Sequence, residues 1–243
     1  MKSLIVIPAR MASTRFPGKP LCDLLGKPMI QWVYERSLAS EVGEGVVVAT
    51  PDEEIIEACG RFGAEAILTR LEHPSGTDRI AEVSKSLRAD VYINVQGDEP
   101  LIRPESIRAC AEPLLGDSSV EMGSVFGECP ELELDNPAVV KVVTDRRGYA
   151  LYFSRHAIPY PRNARSGPVK KHVGIYAYRT DVLQAFATWS PSPLEVTESL
   201  EQLRFLEHGV RIKMSEGKGS ELAVDTPEQA EEVRRILVSS FGS

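Results

Sequence analysis

Apolar and polar positions switch between two periods along the first hundred residues. The unbroken apolar run at residues 4–7 (LIVI) predicts a strand buried on both faces. From Pro28 to Ser40, the residues Ile30, Val33, Tyr34, Ser37 and Leu38 recur at helical spacing. Residues 45–50 (GVVVAT) predict a second strand. Pro51-Asp52-Glu53-Glu54 then opens a helix to Phe62, with acidic residues in its first turn. A short strand at 64–68, a helix over 76–87 entered through Ser75-Gly-Thr-Asp, and a strand at 91–95 (VYINV) follow. This alternation predicts right-handed βαβ units: an α/β fold with a mainly parallel sheet and helices on both faces.

The second half is less regular. Residues 120–125, 139–144, 149–153 (YALYF) and 174–178 (GIYAY) read as strands, the last two flanking a Pro/Arg/Gly-rich connection at 159–168. Residues 198–208 predict a helix and 227–237 a closing amphipathic helix. With no repeat, low-complexity tract or separating linker, residues 1–243 read as one domain, in which about 120–190 form a smaller β-rich lobe.

Composition narrows the class. A net charge of −7 argues against nonspecific nucleic-acid or anionic-membrane binding, which need excess cationic surface. Cys22, Cys59, Cys110 and Cys129 are scattered without C-x-x-C spacing and read as reduced thiols. There is no signal-peptide pattern, and no apolar run approaches the roughly 20 residues of a membrane span, so the expectation is a cytoplasmic protein without membrane insertion.

Within this acidic chain the cations that matter are local. The strand at 4–7 empties into a loop holding Arg10, Ser13, Thr14, Arg15, Gly18 and Lys19. Fixed cations and hydroxyls on a glycine- and proline-shaped loop at the carboxyl end of a strand suit a polyphosphate. The loop is not the P-loop of ATPases, because Pro20 stands where that motif has Ser or Thr. Asp98 and Glu99 end the strand at 91–95, where one or two carboxylates with substrate phosphates suit Mg²⁺. Asp225 in Val-Asp-Thr-Pro-Glu is a further metal candidate, although Asp-Thr-Pro-Glu also makes a good helix start. His73-Pro-Ser75-Gly-Thr-Asp-Arg79 could offer N–H groups, hydroxyls and a guanidinium to a base or ribose, or could be only a capped helix start. No G-x-S-x-G, H-E-x-x-H or G-x-G-x-x-G occurs, so nucleophilic, zinc and dinucleotide chemistry lack support.

Seven segments in one order are more specific than any of them alone. They are PARMASTRFPGKPL (8–21), SGTDR (75–79), NVQGDEP (94–100), ALYFSR (150–155), KHVGIYAYR (171–179), ESLEQLR (198–204) and VDTPE (224–228). Together they closely resemble the 3-deoxy-manno-octulosonate (Kdo) cytidylyltransferases, a family of sugar nucleotidyltransferases. The resemblance implies a Rossmann-like nucleotidyltransferase fold whose smaller β-rich lobe serves dimerisation and sugar binding. It implies transfer of CMP from CTP to Kdo, with release of pyrophosphate, for lipopolysaccharide synthesis. Another 2-keto sugar acid, 8-amino-Kdo or a sialic acid, is the alternative acceptor. Residue by residue, it implies that Arg10, Arg15 and Lys19 bind triphosphate and that Asp98 and Asp225 hold Mg²⁺. Pro8, Ala9, His73, Ser75 and Gln96, with Ser13 and Thr14 of the loop, would complete the CTP site. Arg155, His172, Tyr176, Glu201 and Gln202 would surround the sugar acid, with Arg155 pairing its carboxylate. Arg10, Lys19, Asp98 and Asp225 are the expected catalytic set, and a homodimer the expected assembly. Two departures stand out: the segment between Arg162 and His172 is short, and 219–223 reads GSELA where many relatives have Gly-Thr-Gly.

Overall fold

The computed structural model describes residues 1–218 and 222–241. Among them the central sheet runs through β1 (Ser3–Pro8), β4 (Val46–Thr50), β5 (Glu65–Leu68), β6 (Val91–Asn94), β7 (Met122–Glu128), β10 (Lys170–Arg179) and β11 (Ile212–Glu216). Their spatial order is β11-β7-β10-β6-β1-β4-β5. β1, β4, β5 and β6 are parallel, as are β7 and β11, whereas β10 runs antiparallel to both β6 and β7. A small hairpin of β2 (Asp23–Leu24) and β3 (Lys27–Pro28) follows the basic loop.

Period-two alternation distributes neighbouring strand residues to opposite faces. Ile5, Ile7, Val46, Val48 and Ile93 pack on one face against α1 (Met29–Ala39), α2 (Glu53–Arg61) and α4 (Pro104–Gly116), through Ile30, Ile55 and Ile107. Val6, Val47, Ala49 and Tyr92 pack on the other against α3 (Gly76–Ser86), α5 (Thr180–Phe186) and a later helix, through Ile80, Leu183 and Phe205. Each such fully buried aliphatic side chain contributes about 1.5–3 kcal/mol relative to exposure. That two-faced burial is why the strands read as unbroken apolar runs.

The segment at 120–190 supplies β7 and β10 to this sheet. It also supplies β8 (Lys141–Thr144) and β9 (Ala150–Ser154), which pair off its path. The helix predicted over 198–208 is shorter, because residues 199–201 are not helical and a separate helix ends at Glu198. A Ser192 capping box with Glu195 starts α6 (Pro193–Glu198) early, and Ser199 at φ 51° turns the chain before α7 (Gln202–Glu207). The left-handed residue interrupts a hydrophobic period that is continuous in the sequence. It also aims Glu201 and Gln202 at α3 and β10, as described below.

β1 neighbours β4 on one side and β6 on the other, so the loops after β1 and β6 leave the sheet in diverging directions. Such a switch point opens a crevice at the carboxyl ends of the strands. The loops nonetheless pass close to each other at its floor. A Cβ on Gly97 would stand 2.8 Å from the Pro8 carbonyl, so only glycine fits there.

Candidate active site

The crevice is a cavity of about 740 Å³. Pro8, Ala9, Arg10, Ser13, Thr14, Arg15 and Lys19 of the first loop line it. His73, Ser75, Gln96, Asp98 and Asp225 come to it from three other stretches of chain. Gly18, at φ 73°, turns the loop into a short 3₁₀ segment, Lys19–Leu21, which points Lys19 inward. Asp52, read from the sequence only as part of an acidic helix start, has another use. Its carboxylate accepts from the Met11 amide at 2.7 Å and anchors the loop from outside.

Asp98 and Asp225, 127 positions apart in the chain, converge on one cation. The Lys19 ammonium donates to Asp98 Oδ2 at 2.7 Å, to Asp225 Oδ1 at 3.0 Å and to the Val224 carbonyl at 3.1 Å. Arg15 adds a second contact to Asp225 Oδ1 at 3.0 Å. Burial alone would lower the Lys19 pKa, but the two carboxylates more than offset it and hold it above 10.5.

Asp225 arrives through packing. Val224 is fully buried, its amide donates to the Asp98 carbonyl at 2.8 Å, and Val233 and Leu237 of α8 (Pro227–Phe241) dock with it against Leu24, Met29 and Trp32. The helix-start reading of Asp225 is resolved by Gln229. Its Oε1 accepts from the Asp225 and Thr226 amides at 2.7 and 3.0 Å, leaving the Asp225 carboxylate free to face the cavity. The GSELA departure lies at 219–221 outside the described residues.

The donor set suits a magnesium ion. Two carboxylates already meet at one cationic point on the wall of the cavity, and Mg²⁺ is held by one or two carboxylates together with waters and substrate phosphates. No cluster of three or more acidic, His or Cys ligands exists among the described residues, as an all-protein cage would require. Glu99 does not line the cavity. Burial beside Asp98 pushes its carboxyl up to about 8 against the pull of Lys171, and its buried Oε2 has no hydrogen-bond partner.

The sugar-side residues lie outside the cavity lining, and four of them form a cluster. His172 and Tyr176 rings are 5.4 Å apart, and Tyr176 Oη donates to Gln202 Oε1 at 3.2 Å. Glu201 accepts from the Thr77 hydroxyl of α3. Burial pushes its carboxyl up, and the hydroxyls of Ser75 and Thr77 oppose that. Burial pushes the His172 imidazole down to about 3, so the ring is neutral, with Ser124 Oγ at 2.9 Å from Nε2. Arg155 does not join them. Its Nε and two terminal nitrogens donate to the carbonyls of Glu198 (2.6 Å), Pro137 (2.9 Å) and Ser199 (3.1 Å), which makes it a brace of the α6–α7 corner in this structure.

The sequence and fold are similar to those of known cytidylyltransferases. The sequence pattern of a cytidylyltransferase family matches residues 4–212. The 3-deoxy-manno-octulosonate cytidylyltransferase of Escherichia coli is 48% identical over 240 residues, covering 99% of this chain and 98% of that protein. Its counterpart from Pseudomonas fluorescens is 50% identical over 247 residues, covering 96% and 97%. A solved structure of a CMP:2-keto-3-deoxy-manno-octonic acid synthetase complexed with CTP superposes with a TM-score of 0.96 at 47% identity, over 99% of this chain and all of that one.

Proposed function

This chain belongs to the cytidylyltransferase family, and on that premise we propose that it transfers CMP from CTP to the anomeric hydroxyl of Kdo, releasing pyrophosphate. The observation that carries the reading is the convergence of the basic loop, the base-side residues and the Asp98–Asp225 pair on one cavity. Kdo is favoured over 8-amino-Kdo or a sialic acid by the shared name of the full-length relatives.

In the proposed reaction the anomeric oxygen attacks the α-phosphorus and the bond to the β-phosphate oxygen breaks. Pyrophosphate departs with the electron pair, and the hydroxyl proton passes to solvent. Positioning and charge neutralisation dominate such transfers. Arg10 and Arg15 supply fixed positive charge where the leaving group gathers negative charge. Lys19 holds Asp98 and Asp225 at one point. Mg²⁺ bound by these two carboxylates would supply neutralisation of the α-phosphate and a lowered pKa for the attacking hydroxyl. His73, Ser75, Gln96 and the backbone at Pro8–Ala9 enclose the base. His172, Tyr176, Glu201 and Gln202 offer hydrogen-bonding groups to a polyhydroxylated acid beside it. No covalent intermediate or dedicated base is assigned.

The homodimer remains part of the proposal. Its support is a set of exposed apolar residues in the second half, Leu132, Leu151, Tyr160 and Val196. No described helix is long and apolar enough to cross a membrane, and a cytoplasmic site of action is proposed with the rest. The test is pyrophosphate release measured for each of the four NTPs against Kdo, 8-amino-Kdo and a sialic acid. Release confined to CTP with Kdo is expected. Equal release with another NTP, or a better acid than Kdo, would overturn the assignment.

A further inference from the structure

Behind His73, which lines the cavity, stands Glu82, which does not. Glu82 Oε2 accepts from the Arg70 amide at 3.1 Å and contacts His73 Nε2. Three positions earlier on α3, Arg79 donates to the Arg70 carbonyl at 2.9 Å and to the Thr69 hydroxyl. Residues three apart on a helix share a face, so two side chains of α3 hold the segment 69–73 in place. The His73 side chain is only 5% exposed, so little of the ring is left to meet a ligand.

The chemistry of the contact sets the ring's polarity. Burial favours the neutral acid at Glu82, but the hydrogen bonds from His73 and the Arg70 amide outweigh it and hold the carboxyl below its ordinary range. An ionised carboxylate can only accept, so the proton sits on Nε2. In the neutral ring, Nδ1 is then a lone-pair acceptor.

We propose that Glu82 is a positioning residue for base selection: it fixes the His73 tautomer so that Nδ1 accepts from the exocyclic amine of cytosine and repels the O4 of uracil. Cytosine presents a donor at that edge and uracil an acceptor. A pocket built around such a hydrogen bond rejects the analogue that cannot make it. The inference rests on the reading of the cavity as the CTP site.

Glu82→Met tests it. The thioether keeps the length of the side chain and removes the oxygen that accepts from both the Arg70 amide and His73 Nε2, so nothing fixes the ring proton on Nε2. The preference for CTP over UTP in kcat/KM should fall at least about tenfold, with the loss in the KM for CTP rather than in kcat. In a His73→Ala background the same change should leave the CTP/UTP ratio untouched. Imidazole ¹⁵N spectra, with His73 assigned by His73→Ala, give a readout independent of turnover and of whether the variant folds. Wild-type His73 should be protonated at Nε2, and its Nδ1 resonance should shift on titration with CTP but not with UTP. A wild-type Nδ1 that carries a proton or ignores CTP, or a Glu82→Met variant that loses CTP and UTP alike, would overturn the proposal. A wild-type enzyme that binds CTP in this spectrum but releases no pyrophosphate with Kdo would sink the functional reading and leave the Glu82 inference standing.

Discussion

Replacing Lys19 by methionine keeps the length and apolar stem of the side chain and removes the ammonium from between Asp98 and Asp225. Three hydrogen bonds are lost, two of them to carboxylates at 2.7 and 3.0 Å. A hydrogen bond to a charged group contributes about 1.5–3 kcal/mol when well buried. Here the ammonium side chain is 15% exposed, but the carboxylates are 30% and 33% exposed and partly screened by water. The net loss is therefore about 2–3 kcal/mol. In a chain of this size each kcal/mol moves the melting temperature by about 2–4 °C, so a drop of about 4–12 °C is expected. The assay is calorimetric melting in EDTA, at several pH values. Because the folded Lys19 pKa is raised, its contribution is complete below the ordinary value of 10.5 and disappears as pH rises through the folded value. The gap between wild type and Lys19→Met should thus be constant from neutral pH to about 10 and close above it. Mg²⁺ should stabilise the variant more than the wild type, since no ammonium competes for the carboxylates. A metal-free melting temperature within about 1 °C of wild type would refute the idea that Lys19 organises the pair.

Asp98→Asn should leave the fold intact by circular dichroism and cut CMP-Kdo formation about 10²–10³-fold, the scale of removing one preorganised electrostatic partner; near-normal turnover would remove Asp98 from the reaction. Arg155→Ala should strand the carbonyls of Pro137, Glu198 and Ser199 and destabilise the chain by about 1–3 kcal/mol in urea titration. Unchanged stability with a raised KM for Kdo would instead place Arg155 on the sugar. Burial pushes the His172 imidazole from an ordinary 6.5 down to about 3, so the stability tied to its neutral ring is complete above 6.5 and is lost as pH falls towards 3. His172→Gln, which keeps a polar partner for Ser124, should therefore lose less stability between pH 7 and 4 than wild type, by an amount on the order of a few kcal/mol. Parallel acid titrations of the two proteins would refute this.

The first loop and Asp98 are legible as cavity residues because they are local to strand ends. Runs such as VVVAT and VYIN bury on both faces, and whatever follows them must emerge at the carboxyl edge of the sheet. The sequence alone therefore puts Arg10, Lys19 and Asp98 on that edge. Asp225 is ambiguous because a capping aspartate and one that faces a cavity look alike in sequence. The decision belongs to Gln229, four residues on, which takes over the cap. Glu82 and Asp52 were hidden for a related reason. Asp52 precedes an acidic helix start and Glu82 lies in the middle of a helix, and only the fold shows that each carboxylate reaches a neighbouring loop. The sugar-side reading of Arg155 comes from the family resemblance alone, and its neighbours in the sequence do not foretell that the turn at Ser199 brings backbone carbonyls to it.

Attack by the sugar's own oxygen on the α-phosphorus is tested most directly with Kdo carrying ¹⁸O in its anomeric hydroxyl. The enzyme, CTP and Mg²⁺ are incubated with the labelled acid, and the products are read by mass spectrometry and ³¹P NMR. The predicted result is CMP-Kdo with the label retained in the bridge between sugar carbon and phosphorus, and unlabelled pyrophosphate. Loss of the label, or CTP turnover that yields no phosphodiester, would contradict direct nucleotidyl transfer at this site.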